Sequence, residues 1–307
     1  MYDRMLVPLD GSELAEEVSP YIAELAAKMG VSVALLFVCT HSACEFKPAH
    51  QAYIEEAARD IEREARRIQD SPGPPGKDIR ITAEVVEGNP ADEILRYADE
   101  HGSDLIAIAT HGRSGIKRWV MGSVAQKVLG AAKCPVYLIR PRSEGKGSQT
   151  PWTTATIIVP LDGSELAESV VPFVTDLASG TKAKVLLLQV VPDTYEVHTR
   201  GGRAARVKYT SGHMKEVIAQ SQEYLQGVAR ILALGLPDDK VATEVRPGQA
   251  AEAIIEAADS APGAIVAMST HGRSGLSRWA YGSIADKVLN GTSTPVLLVK
   301  CPGACEV

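Results

Sequence analysis

Short apolar runs alternate along the chain with longer segments in which apolar residues recur at helical spacing. The run VSVALLFV at 31–38 is typical of a strand that is buried on both faces of a sheet. Residues 50–69 instead place Ile54, Ile61 and Ile68 on one helical face, with Glu and Arg residues between them. This alternation of strand and helix signals predicts a parallel sheet with helices on both faces and right-handed connections.

The first half of the chain carries a complete set of such elements. Strands are expected at 5–9, 31–38, 79–86, 104–109 and 135–140. Helices are expected at 12–29, 50–69, 90–100 and 122–132. Asn89 followed by Pro90 is a typical helix start, and either Asp10 or Ser12 can cap the first helix.

The same pattern occurs twice, which indicates an internal duplication. The string VPLDGSELAE occurs at 7–16 and at 159–168, and THGRSG at 110–115 recurs at 270–275. The dipeptide Gly122-Ser123 recurs as Gly282-Ser283. The second copy is eight residues longer between its motifs, and we place the extra length around 193–215. Its strands are expected at 156–161, 184–191, 240–246, 264–269 and 295–300.

The duplication predicts the fold class α/β, with two tandem, doubly wound domains. A length of 307 residues also favours two domains over one. We predict the first domain at 1–142, a polar linker containing Gly and Ser at 143–152, and the second domain at 153–307.

Composition and charge narrow the classes of function. The net charge of -6 and the 5% aromatic content are not typical of a nucleic-acid binder. We identify no signal peptide and no apolar run that could cross a bilayer, so we expect a cytoplasmic protein without membrane contact. The cysteines form no CxxC pair, and we expect free thiols in a reducing compartment, with no metal site, at Cys39, Cys44, Cys134, Cys301 and Cys305.

Two loops in each copy carry the candidate chemistry, because ligands of open α/β sheets bind at the carboxyl ends of the strands. The first loop follows strand one, and its candidate residues are Pro8, Asp10 and Ser12, repeated as Pro160, Asp162 and Ser164. The second loop follows strand four, and its candidate residues are His111, Gly112, Arg113, Ser114 and Gly115, repeated as His271, Gly272, Arg273, Ser274 and Gly275.

The second loop has the features that a phosphate group requires. Its glycines let the backbone approach closely, while its serine and arginine supply a hydroxyl and a positive charge. Gly122-Ser123 begins a helix whose N–H groups and dipole favour an anion. Asp10 is an acceptor suited to a ribose hydroxyl, to a base amino group or to a metal ion that accompanies phosphates.

Each of these residues also has a purely structural interpretation. The glycines can serve turns, Gly122-Ser123 can be a helix N-cap only, and Asp10 can cap the first helix. Histidines in such loops, here His111 and His271, more often have a structural role than a catalytic one. The joint occurrence of these residues at two strand ends in both copies favours a binding site.

Several catalytic motifs are absent from the sequence. There is no P-loop, no GxGxxG after strand one, no nucleophile elbow, no HExxH and no suggestive pair of carboxylates. We therefore assign no catalytic residue.

The motifs resemble those of the universal stress protein family, and the resemblance covers both halves nearly end to end. Nucleotide-binding members of that family carry G-x2-G-x9-G-[ST] after strand four. The corresponding strings here are Ala109-x2-Gly112-x9-Gly122-Ser123 and Ser269-x2-Gly272-x9-Gly282-Ser283. The spacing is complete, but both copies replace the leading glycine.

The resemblance implies a five-stranded parallel sheet of order 3-2-1-4-5 in each copy, with ATP or another adenine nucleotide at the switch point. ADP, AMP and cyclic AMP are alternative ligands, and Mg²⁺ is a candidate companion of the phosphates. The adenosine end would be held by Asp10 with Val38 or Cys39, and in the second copy by Asp162 with Val190 or Val191. Val124 and Ile284, which follow the Gly-Ser pairs, complete the candidate set.

The resemblance also implies an assembly and a function. The last strands, at 136–140 and 296–300, are expected to pair within the chain as a pseudo-dimer, and a homodimer is a further expectation. We expect a regulatory stress-response protein with weak ATP hydrolysis at most. Two alternatives stay open, a slow ATPase or self-phosphorylating enzyme and a nucleotide-free scaffold for an unknown protein partner.

Overall fold

The computed structural model describes residues 2–70, 78–110, 121–140, 152–198, 204–270 and 282–300. The first-half strands are β1 (Arg4–Leu9), β2 (Ser32–Cys39), β3 (Ile81–Glu87), β4 (Leu105–Ala109) and β5 (Val136–Ile139). The helices are α1 (Glu13–Glu16), α2 (Ser19–Met29), α3 (Lys47–Gln69), α4 (Pro90–Glu100) and α5 (Ser123–Ala131). A 3-10 turn at His41–Phe46 leads into α3.

The second half repeats this order and adds a hairpin. Its strands are β6 (Thr156–Pro160), β7 (Lys184–Val191), β8 (Thr194–His198), β9 (Ala204–Lys208), β10 (Val241–Pro247), β11 (Ala264–Ser269) and β12 (Val296–Val299). Its helices are α6 (Glu165–Glu168), α7 (Val171–Thr181), α8 (Ser211–Leu232), α9 (Ala250–Ser260) and α10 (Ser283–Gly291). The antiparallel hairpin β8–β9 lies within the segment where the extra length was expected.

Within the described residues, ten strands form one continuous sheet. Their order is β10-β7-β6-β11-β12-β5-β4-β1-β2-β3. Each half therefore has the expected order 3-2-1-4-5 with parallel neighbours. The α/β class and the strand order are confirmed, and the two five-stranded sheets join into one.

The joint between the halves is an antiparallel pair of the two last strands. Leu138 of β5 lies opposite Val296 of β12, and Tyr137 lies opposite Leu297. The side chain of Arg140 donates to the carbonyl of Leu289 in the other half. Lys300, at the equivalent place, donates to the carbonyl of Gly130 at 2.6 Å. The expected pairing within the chain is thus present, and cross-half hydrogen bonds flank it on both sides.

The predicted helix at 12–29 is wrong in one respect, since it is broken into α1 and α2. Pro20 lies in the first turn of α2. Proline has no N–H and its ring collides with the carbonyl four residues earlier, so one helix cannot run through this position. Pro172 lies at the corresponding place in the second copy, in the first turn of α7, and α6 and α7 are separate there as well.

The expectation of five free thiols is wrong for two of them, because Cys39 and Cys44 form a disulfide. Cys39 is the last residue of β2. The 3-10 turn places the Cα atom of Cys44 5.4 Å from the Cα atom of Cys39, a separation that a disulfide spans. Cys134 is a free thiol, and Cys301 and Cys305 lie outside the described residues.

The predicted domain boundaries stay predictions, since most of the linker falls in the part of the chain that the structure does not describe. In the described ranges, no helix combines the length and the apolar character needed to span a bilayer.

Candidate functional site

A cavity of about 270 Å³ opens at the carboxyl edge of the first half, between the ends of β1 and β4. This is the switch point of the 3-2-1-4-5 order, where the connections from neighbouring strands leave in opposite directions. Asp10 comes from the loop after β1, and Ala109 from the end of β4. Gly122 and Ser123 come from the start of α5. The loop after β1 and the described residues that flank the second predicted loop therefore line one cavity.

The second half has an equivalent cavity of about 310 Å³. Asp162, Ser269, Gly282 and Ser283 line it from the corresponding elements. The internal duplication of the sequence is thus also a duplication of the cavity.

Each aspartate is held by the serine two residues later. The Ser12 hydroxyl donates to Asp10 Oδ1 at 2.6 Å, and the Ser12 N–H donates to the same oxygen at 3.0 Å. Ser12 Oγ accepts from the N–H of Ala15 at 3.1 Å and so caps α1. The question of which residue caps the helix is answered in favour of Ser12, while Asp10 orients that cap.

The second copy reproduces this arrangement in detail. Ser164 donates to Asp162 Oδ1 from its hydroxyl at 2.6 Å and from its N–H at 3.0 Å. Its Oγ accepts from the N–H of Ala167 at 3.1 Å. Neither serine lines its cavity, so the predicted role of Ser12 and Ser164 is better described as positioning the aspartates than as touching a ligand.

The start of α5 provides an anion-binding geometry. Gly122 occupies the N-cap position and has no side chain with which to cap the first-turn N–H groups. Its own N–H donates to the carbonyl of Thr110 at 2.8 Å, and a Cβ at this position would meet that oxygen at 3.3 Å. Glycine therefore keeps this contact close and leaves the helix N-terminus open toward the cavity.

The same closure occurs at α10, where the N–H of Gly282 donates to the carbonyl of Thr270 at 2.7 Å. The two hydrogen bonds bring Thr110 and Thr270, which directly follow β4 and β11, next to the N-cap glycines of α5 and α10. The intervening loop residues, which were the most specific phosphate ligands predicted from sequence, lie outside the described residues: His111, Gly112, Arg113, Ser114, Gly115, His271, Gly272, Arg273, Ser274 and Gly275.

Most of the other predicted residues also line the cavities. The first cavity is lined by Pro8, Val38, Cys39 and Val124, and the second by Pro160, Val190 and Ile284. Val191 is a buried residue at the end of β7 but does not line the second cavity.

Behind the aspartate of each cavity lie a second carboxylate and a tyrosine, neither of which lines the cavity itself. Burial, followed by the nearby Glu16 and Asp10, raises the pKa of the Tyr53 hydroxyl above its usual value. In the second copy Tyr224 donates to Glu168 at 2.9 Å, and burial together with this contact raises its pKa. Both tyrosine hydroxyls are therefore protonated at neutral pH. Carboxylates beside the aspartate favour hydroxyl donors or a cation there, whereas the helix N-terminus favours an anion.

The sequence analysis missed a wall of the first cavity that comes from α3. His50 lines the cavity and stacks on Phe37, with ring centroids 4.3 Å apart and planes 21° apart. Its Nδ1 is buried and has no hydrogen-bond partner within the described residues. The helical pattern of 50–69 predicted an amphipathic helix but gave no indication that His50 would line a cavity. The available signal was topological, because the start of a helix that follows a parallel strand lies at the same edge as the strand end.

The two cavities differ at this wall. The residue of β7 that corresponds to Phe37 is Gln189, whose Oε1 is buried without a partner among the described residues. Val191 stands where the first copy has Cys39, so the second cavity has no equivalent of the disulfide. The copies thus share the aspartate and the helix N-terminus of the cavity and differ beside β2 and β7.

No group of three or more His, Cys, Asp or Glu side chains with metal-site geometry occurs in the ranges that the structure describes.

A family model for the universal stress protein family matches residues 1–140 and 154–300 of this chain. A universal stress protein of Mycobacterium tuberculosis is 22% identical over 302 residues, with 96% of each chain covered. A universal stress protein of Methanocaldococcus jannaschii is 27% identical over 151 residues, which are 47% of this chain and 86% of the relative. The crystal structure of a universal stress protein from Archaeoglobus fulgidus has a TM-score of 0.68 at 20% identity, covering 97% of this chain and 98% of that one, and supports the fold.

Proposed function

Because this chain belongs to the universal stress protein family, we propose that it is a regulatory stress-response protein that binds ATP or another adenine nucleotide in each half. The observation that carries the proposal is the duplicated cavity, in which an uncapped helix N-terminus and a fixed aspartate occur together twice. A structural turn or cap explains either feature alone but not their repeated coincidence at a switch point.

The electrostatics of each cavity suggest how the nucleotide lies. The N-terminus of α5 or α10 attracts phosphates through free N–H groups and the helix dipole. Asp10 or Asp162 attracts the ribose hydroxyls or a base amino group, and Mg²⁺ between this aspartate and the phosphates is part of the proposal. Volumes of about 270 and 310 Å³ lie near the lower end of the range for small-molecule sites, about 300–1,000 Å³.

The residues at the motif's leading position are compatible with this ligand. Ala109 and Ser269 both line their cavities, and both end strands of ordinary extended geometry, so neither needs the left-handed backbone that favours glycine. Loop residues 111–115 and 271–275 remain proposed phosphate ligands on the strength of their sequence.

The proposal favours binding over catalysis. Among the described residues that line the cavities, we assign none as a general base for hydrolysis, so we propose turnover that is slow at most. A cytoplasmic location and a homodimer also remain proposals.

The proposal is tested by mass analysis of the small molecules released when freshly purified protein is denatured. We expect ATP, ADP, AMP or cyclic AMP in the supernatant, and an increase of the melting temperature when the same nucleotide is added to stripped protein. GTP at equal concentration is the control for selectivity. Absence of any released nucleotide, with no shift of the melting temperature by any adenine nucleotide, would overturn the proposal in favour of a nucleotide-free scaffold.

A further inference from the structure

One half of the disulfide between Cys39 and Cys44 lies in the wall of the first cavity. Cys39 lines that cavity and is 1% exposed, whereas Cys44 is half-buried in the 3-10 turn. The disulfide therefore joins a fixed strand end of the candidate site to the surface turn beside it.

The strand side of the disulfide is held independently of the sulfur atoms. Cys39 belongs to the β2–β3 ladder, and its carbonyl accepts from the N–H of Gly88 at 3.0 Å. The turn side is held more weakly, since Phe46 at its end is 57% exposed and contributes little buried surface. An exposed end of this kind opens at low free-energy cost, so the disulfide, whose Cys44 packs against the core, restrains the turn.

The turn also sets the start of α3, from which His50 reaches the cavity. Only a few residues separate Cys44 from His50, and both precede or begin the helix that covers this face of the sheet. A change in the turn is therefore transmitted directly to the histidine wall of the first cavity.

We propose that Cys39 and Cys44 form a reversible thiol–disulfide site that sets the nucleotide affinity of the first cavity and leaves the second cavity unaffected. This inference rests on the proposed nucleotide binding. The second cavity lacks the pair because Val191 replaces Cys39 and the hairpin β8–β9 replaces the 3-10 turn.

The chemistry is exchange with a dithiol reductant. A thiolate of the reductant attacks Sγ of Cys44, the more exposed sulfur, and the Cys39 sulfur leaves as a thiolate that takes up a proton. The second thiol of the reductant then attacks the mixed disulfide, releasing the Cys44 thiol and the reductant as its own disulfide. Two electrons and two protons are transferred to the protein. The reverse exchange, with an oxidised dithiol, restores the bond.

The physical effect is one of preorganisation. In the oxidised protein the turn that precedes His50 is already fixed, so a ligand that contacts His50 binds without ordering this segment. In the reduced protein the ligand must also order the turn, and we expect its affinity to fall roughly tenfold. Cysteine pairs in reducing compartments are often transient redox sensors, and this dependence would couple nucleotide binding to oxidising stress.

The test measures ATP affinity by calorimetry on full-length protein, before and after reduction with dithiothreitol. A Ser283→Asp background blocks the second cavity and isolates the first, and a Ser123→Asp background isolates the second. We expect the first cavity to lose affinity roughly tenfold on reduction and the second to keep its affinity. Alkylation and mass analysis report the state of Cys39 and Cys44 in every sample.

Two single variants complete the design. Cys44→Ser cannot form the disulfide, so its first cavity should have the weak affinity under both conditions. Cys134→Ser is the matched control and should behave as the parent protein. Burial raises the pKa of the Cys134 thiol to about 11, so this thiol is neutral near pH 8 and exchanges slowly.

A reciprocal measurement distinguishes coupling between ATP binding and disulfide reduction from a change in how easily the reductant reaches the disulfide. Because coupling between two equilibria is mutual, saturating ATP should lower the equilibrium constant for reduction of the disulfide by the same factor. Equal ATP affinity of the first cavity in both redox states would overturn the switch while leaving the proposed function intact. Absence of ATP binding in either state would overturn both.

Discussion

At the scale of single residues, the serines at the starts of α1 and α6 have two tasks. Each caps a short helix and holds an aspartate through two hydrogen bonds to one carboxylate oxygen. Because the same hydroxyl oxygen accepts the first-turn N–H, removal of one atom disrupts both the cap and the orientation of the carboxylate.

We therefore predict that Ser12→Ala lowers the free energy of unfolding by about 1 kcal/mol, the usual loss for an N-cap. Ser12→Thr, which keeps the hydroxyl acceptor, is the control and should lose much less. Urea denaturation followed by circular dichroism measures both. An alanine variant as stable as the parent protein would show that the hydrogen bonds to Asp10 and Ala15 do not contribute to stability.

Residue-scale prediction from the sequence succeeded where chemistry was local and failed where it depended on contacts across the fold. Asn89 was identified as a cap from the proline that follows it, and its side chain does accept from the N–H of Ala91. The pairing of Cys39 with Cys44 was missed because it depends on the 3-10 turn between them, and no residue pattern in the sequence predicts that turn. His50 was missed because a helix places it at the cavity from a distant part of the sequence.

At the scale of elements, the halves are linked by more than strands. Glu24 of α2 is 1% exposed and accepts from the N–H and the hydroxyl of Thr154, both at 2.7 Å. Lys28 lies 2.8 Å from the same carboxylate. Helix α2 of the first half thus provides the hydrogen-bond acceptors for the buried polar groups of Thr154, just before β6 of the second half.

We predict that Glu24→Ala lowers the free energy of unfolding by about 2–3 kcal/mol, because two buried donors of Thr154 lose their acceptors. Glu24→Gln retains one acceptor oxygen and should lose less. Lys28→Ala removes the counter-ion of a carboxylate that is 1% exposed while both hydrogen bonds from Thr154 remain, so it should also destabilise the protein. Denaturant titration ranks the variants, and a Glu24→Ala variant as stable as Glu24→Gln would contradict this assignment.

Most elements could be predicted from the hydrophobic pattern, since buried parallel strands produce apolar runs that contrast sharply with the amphipathic helices. The predictions at 184–191 and 264–269 match β7 and β11 to the residue. The break at Pro20 was missed although the proline was visible, because the apolar spacing continues across it. The hairpin β8–β9 was missed because its residues are predominantly polar or small and lie outside the main sheet.

At the scale of the whole molecule, one ten-stranded sheet carries two cavities. The cavities lie near the two switch points, each in its own half, while the joint between β5 and β12 is central. Repetition of sequence motifs predicted the duplication, and family resemblance predicted the pairing of the last strands. The motifs could not predict how the cavities differ, since the walls beside β2 and β7 come from segments in which the copies have diverged.

The central claim is that each half holds one adenine nucleotide with its phosphates at the N-terminus of α5 or α10. A carboxylate at the exposed first helical residue tests this claim, because it repels phosphate but favours the helix dipole by about 0.3–1 kcal/mol. Ser123→Asp and Ser283→Asp should therefore lose binding without losing stability. The isosteric, neutral Ser123→Asn and Ser283→Asn are matched controls.

The decisive measurement is the calorimetric stoichiometry of ATP on stripped, oxidised protein. The account predicts two ATP per chain for the parent protein and for both asparagine variants, one for either single aspartate variant and none for the double variant. Two ATP bound by a folded Ser123→Asp, Ser283→Asp double variant would contradict it, as would a parent protein that binds none.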